Sequence, residues 1–173
     1  MKLVIYGNSD FAELMYYYFT NDSKYEVVGF CVDKDFIKSD KFLDKPLVSF
    51  EEVEKIFPPN EYKMFVAVGY KNMRLRAKLY EKTVDKKYEH INYISSKSII
   101  DESNIIGKNN AILHGVVLEP FAKIGDNNII NTNVTICHHA NIMNDCFIAA
   151  KSLVGGFTTI KNNCFIGFSS TIL

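Results

Sequence analysis

Four side chains in this sequence suit proton transfer near neutral pH: His90, His114, His138 and His139. A positioned base of this kind serves general acid–base catalysis. His90 opens a short apolar stretch and reads as structural. His138 stands beside His139 at the end of Asn131-Thr132-Asn133-Val134-Thr135-Ile136-Cys137, and His114 lies 24 residues upstream of it. Gly155-Gly156 follows, with Gly156 placed 18 residues past His138. Paired glycines let a ligand pass close to the backbone, and their N–H groups can face a developing oxyanion. A second polar set lies near the start, each member following a short apolar run: Gly7-Asn8-Ser9-Asp10, Asp33, and the loop from Gly69 to Asn72. Backbone N–H groups behind Gly7 suit a phosphate, and Asp33 suits a ribose hydroxyl. A plain turn at Gly7 and a plain strand end at Asp33 fit the pattern equally well.

The elements that must carry the later histidines are set by a period of six. From Ile94 to Ile172 every sixth residue is Ile, Val or Leu, fourteen positions in all. Four places after each, through position 170, stands a small or medium residue such as Ser98, Asn110, Ala122, Val134, Cys146 or Thr158. Helices repeat at 3.6 residues and half-buried strands at 2. A hexapeptide period instead marks a parallel β-helix, in which three hexapeptides close one coil and residues 18 apart stack. His114 and His138 then occupy different faces, and Gly156 sits directly above His138. Cys146 and Cys164, 18 apart, read as buried thiols in adjacent coils. Ile129, Phe147, Leu153, Phe157 and Phe165 read as outward-facing and too apolar for water as a group, which predicts closed assembly. The chain ends at Leu173, two residues into a hexapeptide, which predicts further coils beyond it.

The first part reads differently. Leu3 to Tyr6 is a strand ending in Gly7, and Phe11, Leu14, Met15, Tyr18 and Phe19 have helical spacing, with Asp10 placed to cap. A strand over 26–32 follows. Ser49-Phe50-Glu51-Glu52 has the capping-box pattern and predicts a helix through Phe57, stopped by Pro58 and Pro59. A strand over 64–68, a helix capped by Asn72 to about Lys86, and a strand over 88–93 complete the series. Alternation of strand and helix predicts a small parallel sheet with right-handed crossovers. The expected division is an α/β domain over 1–93 and a β-helix over 94–173.

Composition closes several alternatives. The net charge is zero and 47% of the 173 residues are hydrophobic, without an apolar run of membrane-spanning length or an opening signal peptide. A soluble cytoplasmic protein is expected, with no nucleic-acid partner, since a basic excess is missing. Four cysteines lack both metal and disulfide spacing.

These residues carry a resemblance. Ile124-Gly125-Asp126-Asn127-Asn128-Ile129 and Ile166-Gly167-Phe168-Ser169-Ser170-Thr171 resemble hexapeptide-repeat acyltransferases, whose β-helix is left-handed. With Val4 to Ser9, Val27 to Asp33 and Ala67 to Arg74, nearly the whole chain is similar to bacterial sugar O- and N-acyltransferases. These include sialic acid O-acetyltransferases and acetyltransferases for nucleotide-linked 4-amino sugars. The resemblance implies a Rossmann-like (nucleotide-)sugar-binding domain followed by a catalytic, trimeric β-helix that uses acetyl-CoA as co-substrate and no metal, for surface glycan synthesis. It implies His138 as general base, Asn131 and His139 in supporting roles, and Gly155, Gly156 and Phe168 against the cofactor. Gly7, Asn8, Ser9, Asp33, Gly69, Asn72 and Phe147 would face the substrate. Two positions depart from the family: Asp10, often His, and His139, usually an acid. Alternatives are a free-sugar O-acetyltransferase, a catalytically weak trimeric nucleotide-sugar-binding protein, and a γ-type carbonic anhydrase. The last needs three metal-binding histidines, and the spacing of His114, His138 and His139 lacks that family's pattern.

Overall fold

Strand β1 (Lys2–Tyr6) is the centre of the first unit, because all but its first residue are buried and it pairs in parallel on both sides. In the computed structural model, which describes residues 1–69 and 72–173, its neighbours are β2 (Glu26–Val32) and β5 (Lys63–Val66). Outside these lie β3 (Lys41–Phe42) with β4 (Lys45–Ser49) on one flank and β6 (Glu89–His90) on the other, in the order β3-β4-β2-β1-β5-β6. All pairs are parallel except the β3–β4 hairpin, which turns through Leu43 and Asp44, both at positive φ. Helices α1 (Asp10–Asn21) and α2 (Val53–Ile56) complete the crossovers together with α3 (Met73–Asp85). Val4, Tyr6, Cys31, Phe50, Val53, Phe57, Met64, Val66 and Tyr88 form one core under this sheet.

Several expectations are corrected here. Ser9, not Asp10, is the N-cap of α1, through backbone only; Asp10 lies in the first turn, where a carboxylate favours the positive end of the helix. Ser49 closes β4 rather than capping a helix, and α2 has just four residues, with Glu52 held by Lys55 at 2.9 Å. Leu47, Val48 and Ser49 pair with β2 instead, which gives the backbone a ladder there. Asn72 does cap α3, accepting the Leu75 N–H at 3.0 Å. Tyr70 and Lys71, in the loop between Gly69 and Asn72, lie outside the described residues.

The second unit is the stack of coils. Fourteen two-residue strands, β7 (Tyr93–Ile94) to β20 (Thr171–Ile172), form three parallel sheets of five, five and four strands. Every paired residue meets the one 18 positions on, as in Ile112 with Ile130, Ile130 with Ile148, and Ile136 with Val154. The inward ladder of Ile112, Ile124, Ile130, Ile136, Ile142 and Ile148 is buried together with Val116, Val134, Ala122, Ala140 and Cys146. Each such aliphatic side chain contributes about 1.5–3 kcal/mol on burial. Asparagines add a polar ladder: Asn92, Asn110 and Asn128 each accept, at 2.7–2.9 Å, the N–H of the residue 18 positions on.

By its contacts the chain separates into residues 1–69 with 78–91 and, as the second unit, 92–173 joined by 72–77. Arg76 in that last segment is fully buried, donates to the Asn127 carbonyl, and has its basicity pushed down to about 10 by burial. Ile129 and Phe147, expected to face water, are corrected to buried. Phe157 and Phe165 do lie exposed, as does part of Leu153.

Candidate active site

In the β-helix, His138 and His139 lie exposed on a corner between two strands, held by Val134, Ile136 and Ala140, which point into the core. His138 is braced from below and roofed from above. The Glu119 carboxylate accepts its backbone N–H at 2.8 Å, and the His138 carbonyl accepts the Phe157 N–H at 3.2 Å. A methyl group added at Gly156 would come within 2.9 Å of His138 Cε1 and 3.1 Å of Nε2. The Nε2 edge of the ring therefore lies under the backbone of Gly156, where only glycine leaves room. His138 Nδ1 lies 3.3 Å from His139 Nδ1. His139 in turn stacks on Phe157, with centroids 4.8 Å apart and planes at 15°, and leans on Phe121 at 4.8 Å.

The other expected residues fall in different places. Asn131 and His138 do not meet within the chain, since the Asn131 Oδ1 accepts the Thr132 N–H at 2.7 Å. Gly155 is buried against Ile172 and Leu173, and Phe168 is 69% exposed. Phe147 is 3% exposed and stacked flat on Phe165 at 5.2 Å. His114 is half-buried, and His90 is buried with its Nε2 at 2.7 Å from the Thr83 hydroxyl. Cys146 is buried and donates to the Lys161 carbonyl at 3.0 Å, while Cys164 is only partly buried. Among the described residues no group of three His, Cys, Asp or Glu could hold a metal ion, and no helix is long and apolar enough to cross a membrane.

Glu119 was not legible as a site residue. It precedes His138 by 19 residues, so it belongs one coil beneath, and the coil period alone could have pointed to it. Its carboxylate also raises the Cys137 thiol, after burial, which keeps that neighbour uncharged.

In the first unit, the loops after β2, β1 and β5 leave one edge of the sheet, because these adjacent strands are parallel. Gly7 has φ +142°, and a Cβ there would meet the Ala67 carbonyl oxygen at 2.6 Å, so glycine is required for β1 and β5 to approach. Asn8 donates weakly to the Phe36 carbonyl at 3.3 Å. Asp33 accepts from the Tyr6 hydroxyl at 2.6 Å and from Lys82 at 2.7 Å, both on Oδ1. Burial would raise this carboxyl, but the two hydrogen bonds and the Lys82 charge outweigh it and hold it below the usual range. Gly69 has open space around it, and Asn72 groups with the second unit.

Comparison with known proteins now adds to these geometries. Residues 2–83 match the PglD N-terminal domain. That domain therefore covers β1 through most of α3, including the edge formed by Gly7 and Asp33. No curated protein matches the chain by sequence. Among solved structures, the acetyltransferase domain of PglB from Neisseria gonorrhoeae matches with TM-score 0.82 and 19% identity, covering 98% of this chain and 81% of that one. The same domain is known in complex with acetyl coenzyme A. PerB from Caulobacter crescentus, in complex with CoA and GDP-perosamine, matches with TM-score 0.66 and 20% identity over 96% of this chain and 92% of that one. WeeI from Acinetobacter baumannii matches with TM-score 0.53 and 17% identity, covering 99% and 88%. At these identities the likeness shows the fold. The chain has the fold of the sugar acetyltransferases, a PglD-type α/β domain leading into a left-handed parallel β-helix.

Proposed function

We propose that this protein is an acetyl-CoA-dependent acetyltransferase acting on an amino group of a nucleotide-linked sugar, in the cytoplasm and for surface glycan synthesis. One observation carries the reading: an exposed histidine, His138, presents its Nε2 edge directly under Gly156 in a fold shared with acetyltransferases solved with acetyl-CoA or CoA. The PglD-type domain supports a nucleotide-sugar acceptor, as does PerB with its GDP-perosamine.

In the proposed reaction, neutral His138 accepts at Nε2 a proton from the acceptor amine as the nitrogen attacks the thioester carbonyl of acetyl-CoA. The C–N bond forms and the C–S bond breaks, and the proton passes from Nε2 to the leaving thiolate. No covalent acyl-enzyme is needed. Backbone N–H groups around Gly155 and Gly156 are the donors for the carbonyl oxygen as it gains charge, and exposed Phe168 offers an apolar wall to the cofactor. Gly7, Asn8, Ser9 and Gly69 give a nucleotide phosphate close approach to backbone, while Asp33 keeps Oδ2 for a ribose hydroxyl. Exposed Phe157, Phe165 and Leu153 favour a homotrimer, which would bury them.

The test is thiol release from acetyl-CoA with a panel of UDP-, GDP-, dTDP- and CMP-linked amino sugars. Turnover with one of them supports the reading. Transfer only to a sugar hydroxyl moves the protein to the O-acetyltransferases, and binding of nucleotide sugars without turnover makes it a binding protein.

A further inference from the structure

We infer that His139 is the hydrogen-bond partner that orients His138 and stabilises its protonated form, in the place where the resembled family has a carboxylate. The kinetic consequence rests on the acetyl-transfer reading above; the pairing itself does not.

Two independent features point to it. The first is the 3.3 Å approach of the two Nδ1 atoms, which two imidazoles make attractively only with one proton between them. When His138 carries that proton, its Nε2 is bare and faces Gly156, the form a base needs. As His138 takes the acceptor's proton at Nε2, its Nδ1–H bond to neutral His139 strengthens, because the donor has become charged. His139 accepts throughout and neither gains nor loses a proton.

The second feature is the device that holds the His139 ring. Phe121, His139 and Phe157 are 18 residues apart and occupy one corner of successive coils, at φ +67°, +59° and +60°. The other two left-handed corners carry Asn109, Asn127, Asp145 and Asn163, and Gly115, Asn133, Lys151 and Ser169. Gly, Asn, Asp and His tolerate this backbone, whereas the bulky rings of Phe121 and Phe157 are disfavoured there. Only the corner beside His138 accepts that cost with phenylalanine, once below and once above His139, and strain of this sort gathers at functional sites. The result is a column in which His139 is stacked on Phe157 and leans on Phe121, with its Nδ1 turned to His138.

The charges facing the pair are few. Glu119 lies beneath, with Oε2 on the His138 N–H; Cys137 beside it is a neutral thiol; the coil above presents Gly156 and Phe157.

The experiment compares the full-length chain with His139→Phe, which keeps a ring in the column but removes the nitrogen, and with His139→Glu, which supplies a carboxylate. Ring nitrogen shifts of His138 are followed against pH by NMR. Two coupled steps are expected in the native chain, one uncoupled step in His139→Phe, and a step moved to higher pH in His139→Glu. In acetyl transfer, kcat is expected to fall roughly 10- to 100-fold in His139→Phe, the worth of a hydrogen bond to a charged group. KM for acetyl-CoA should stay unchanged, and His139→Glu should recover the rate with its pH profile moved upward. Identical titration of His138 in the native chain and His139→Phe overturns the pairing. An unchanged kcat and pH profile in His139→Phe overturns its part in the reaction. Coupled titration without any acetyl transfer leaves the pairing standing and removes the acetyltransferase reading instead.

Discussion

At the residue scale, the account turns on one imidazole and the backbone above it. His138→Ala should lower turnover by roughly 10² to 10⁴ fold, the usual worth of a positioned base, with the thermal midpoint unchanged because the ring is exposed. Half-buried His114 belongs to another face, and His114→Ala should cost far less activity. Gly156→Ala makes a sharper test. Its new methyl group would press on Cε1 and Nε2 of His138 at 2.9 and 3.1 Å, so the ring must swing away. A misplaced catalytic group costs roughly 10- to 100-fold in rate, and kcat should show this while circular dichroism stays native. These residues were legible because a motif and an 18-residue stack converge on His138. Asn131 was legible only as part of a motif, and within the chain it turns to its own neighbour. Glu119 and the Phe121–His139–Phe157 column were missed although the same arithmetic of 18 places them, because a carboxylate or a phenylalanine on a corner carries no signal until its vertical neighbours are considered.

At the scale of elements, the coils were readable almost residue by residue, since every inward position has the same neighbours 18 residues away and must meet the same demand for a β-branched or small side chain. Ile136→Ala, in the middle of that ladder, should therefore cost about 2–5 kcal/mol in denaturant unfolding. The α/β sheet was less readable. The β3–β4 hairpin turns on Asp44 and on Leu43, whose type announces no turn, and Ser49 to Glu52 imitates a capping box while closing a strand. Helix choice there was settled by pairing with β2, which sequence periodicity does not contain. The link between β2 and α3 is the Asp33 contact with Tyr6 and Lys82. Asp33 sits below the usual carboxylate range when folded, so its contribution is present above that range and is lost as pH falls through its depressed value. Asp33→Asn should remove about 1 kcal/mol at neutral pH, given its partial exposure. It should also flatten the acid side of the profile of thermal midpoint against pH.

At the scale of the whole molecule, Phe157, Phe165 and Leu153 are apolar side chains left at the surface, which the proposed homotrimer would bury. Light scattering at micromolar concentration should give the mass of three chains, and a monomeric mass would count against the assembly. The central claim is that His138, under Gly156, is the base for direct transfer of an acetyl group from coenzyme A to an amino sugar. The measurement that reaches it most directly is thiol release from acetyl-CoA by the native chain and by His138→Ala, with each nucleotide-linked amino sugar in turn. The account predicts turnover with at least one acceptor and a loss of roughly 10² to 10⁴ fold in the variant. Silence with every acceptor, or an equal rate in both proteins, would contradict it.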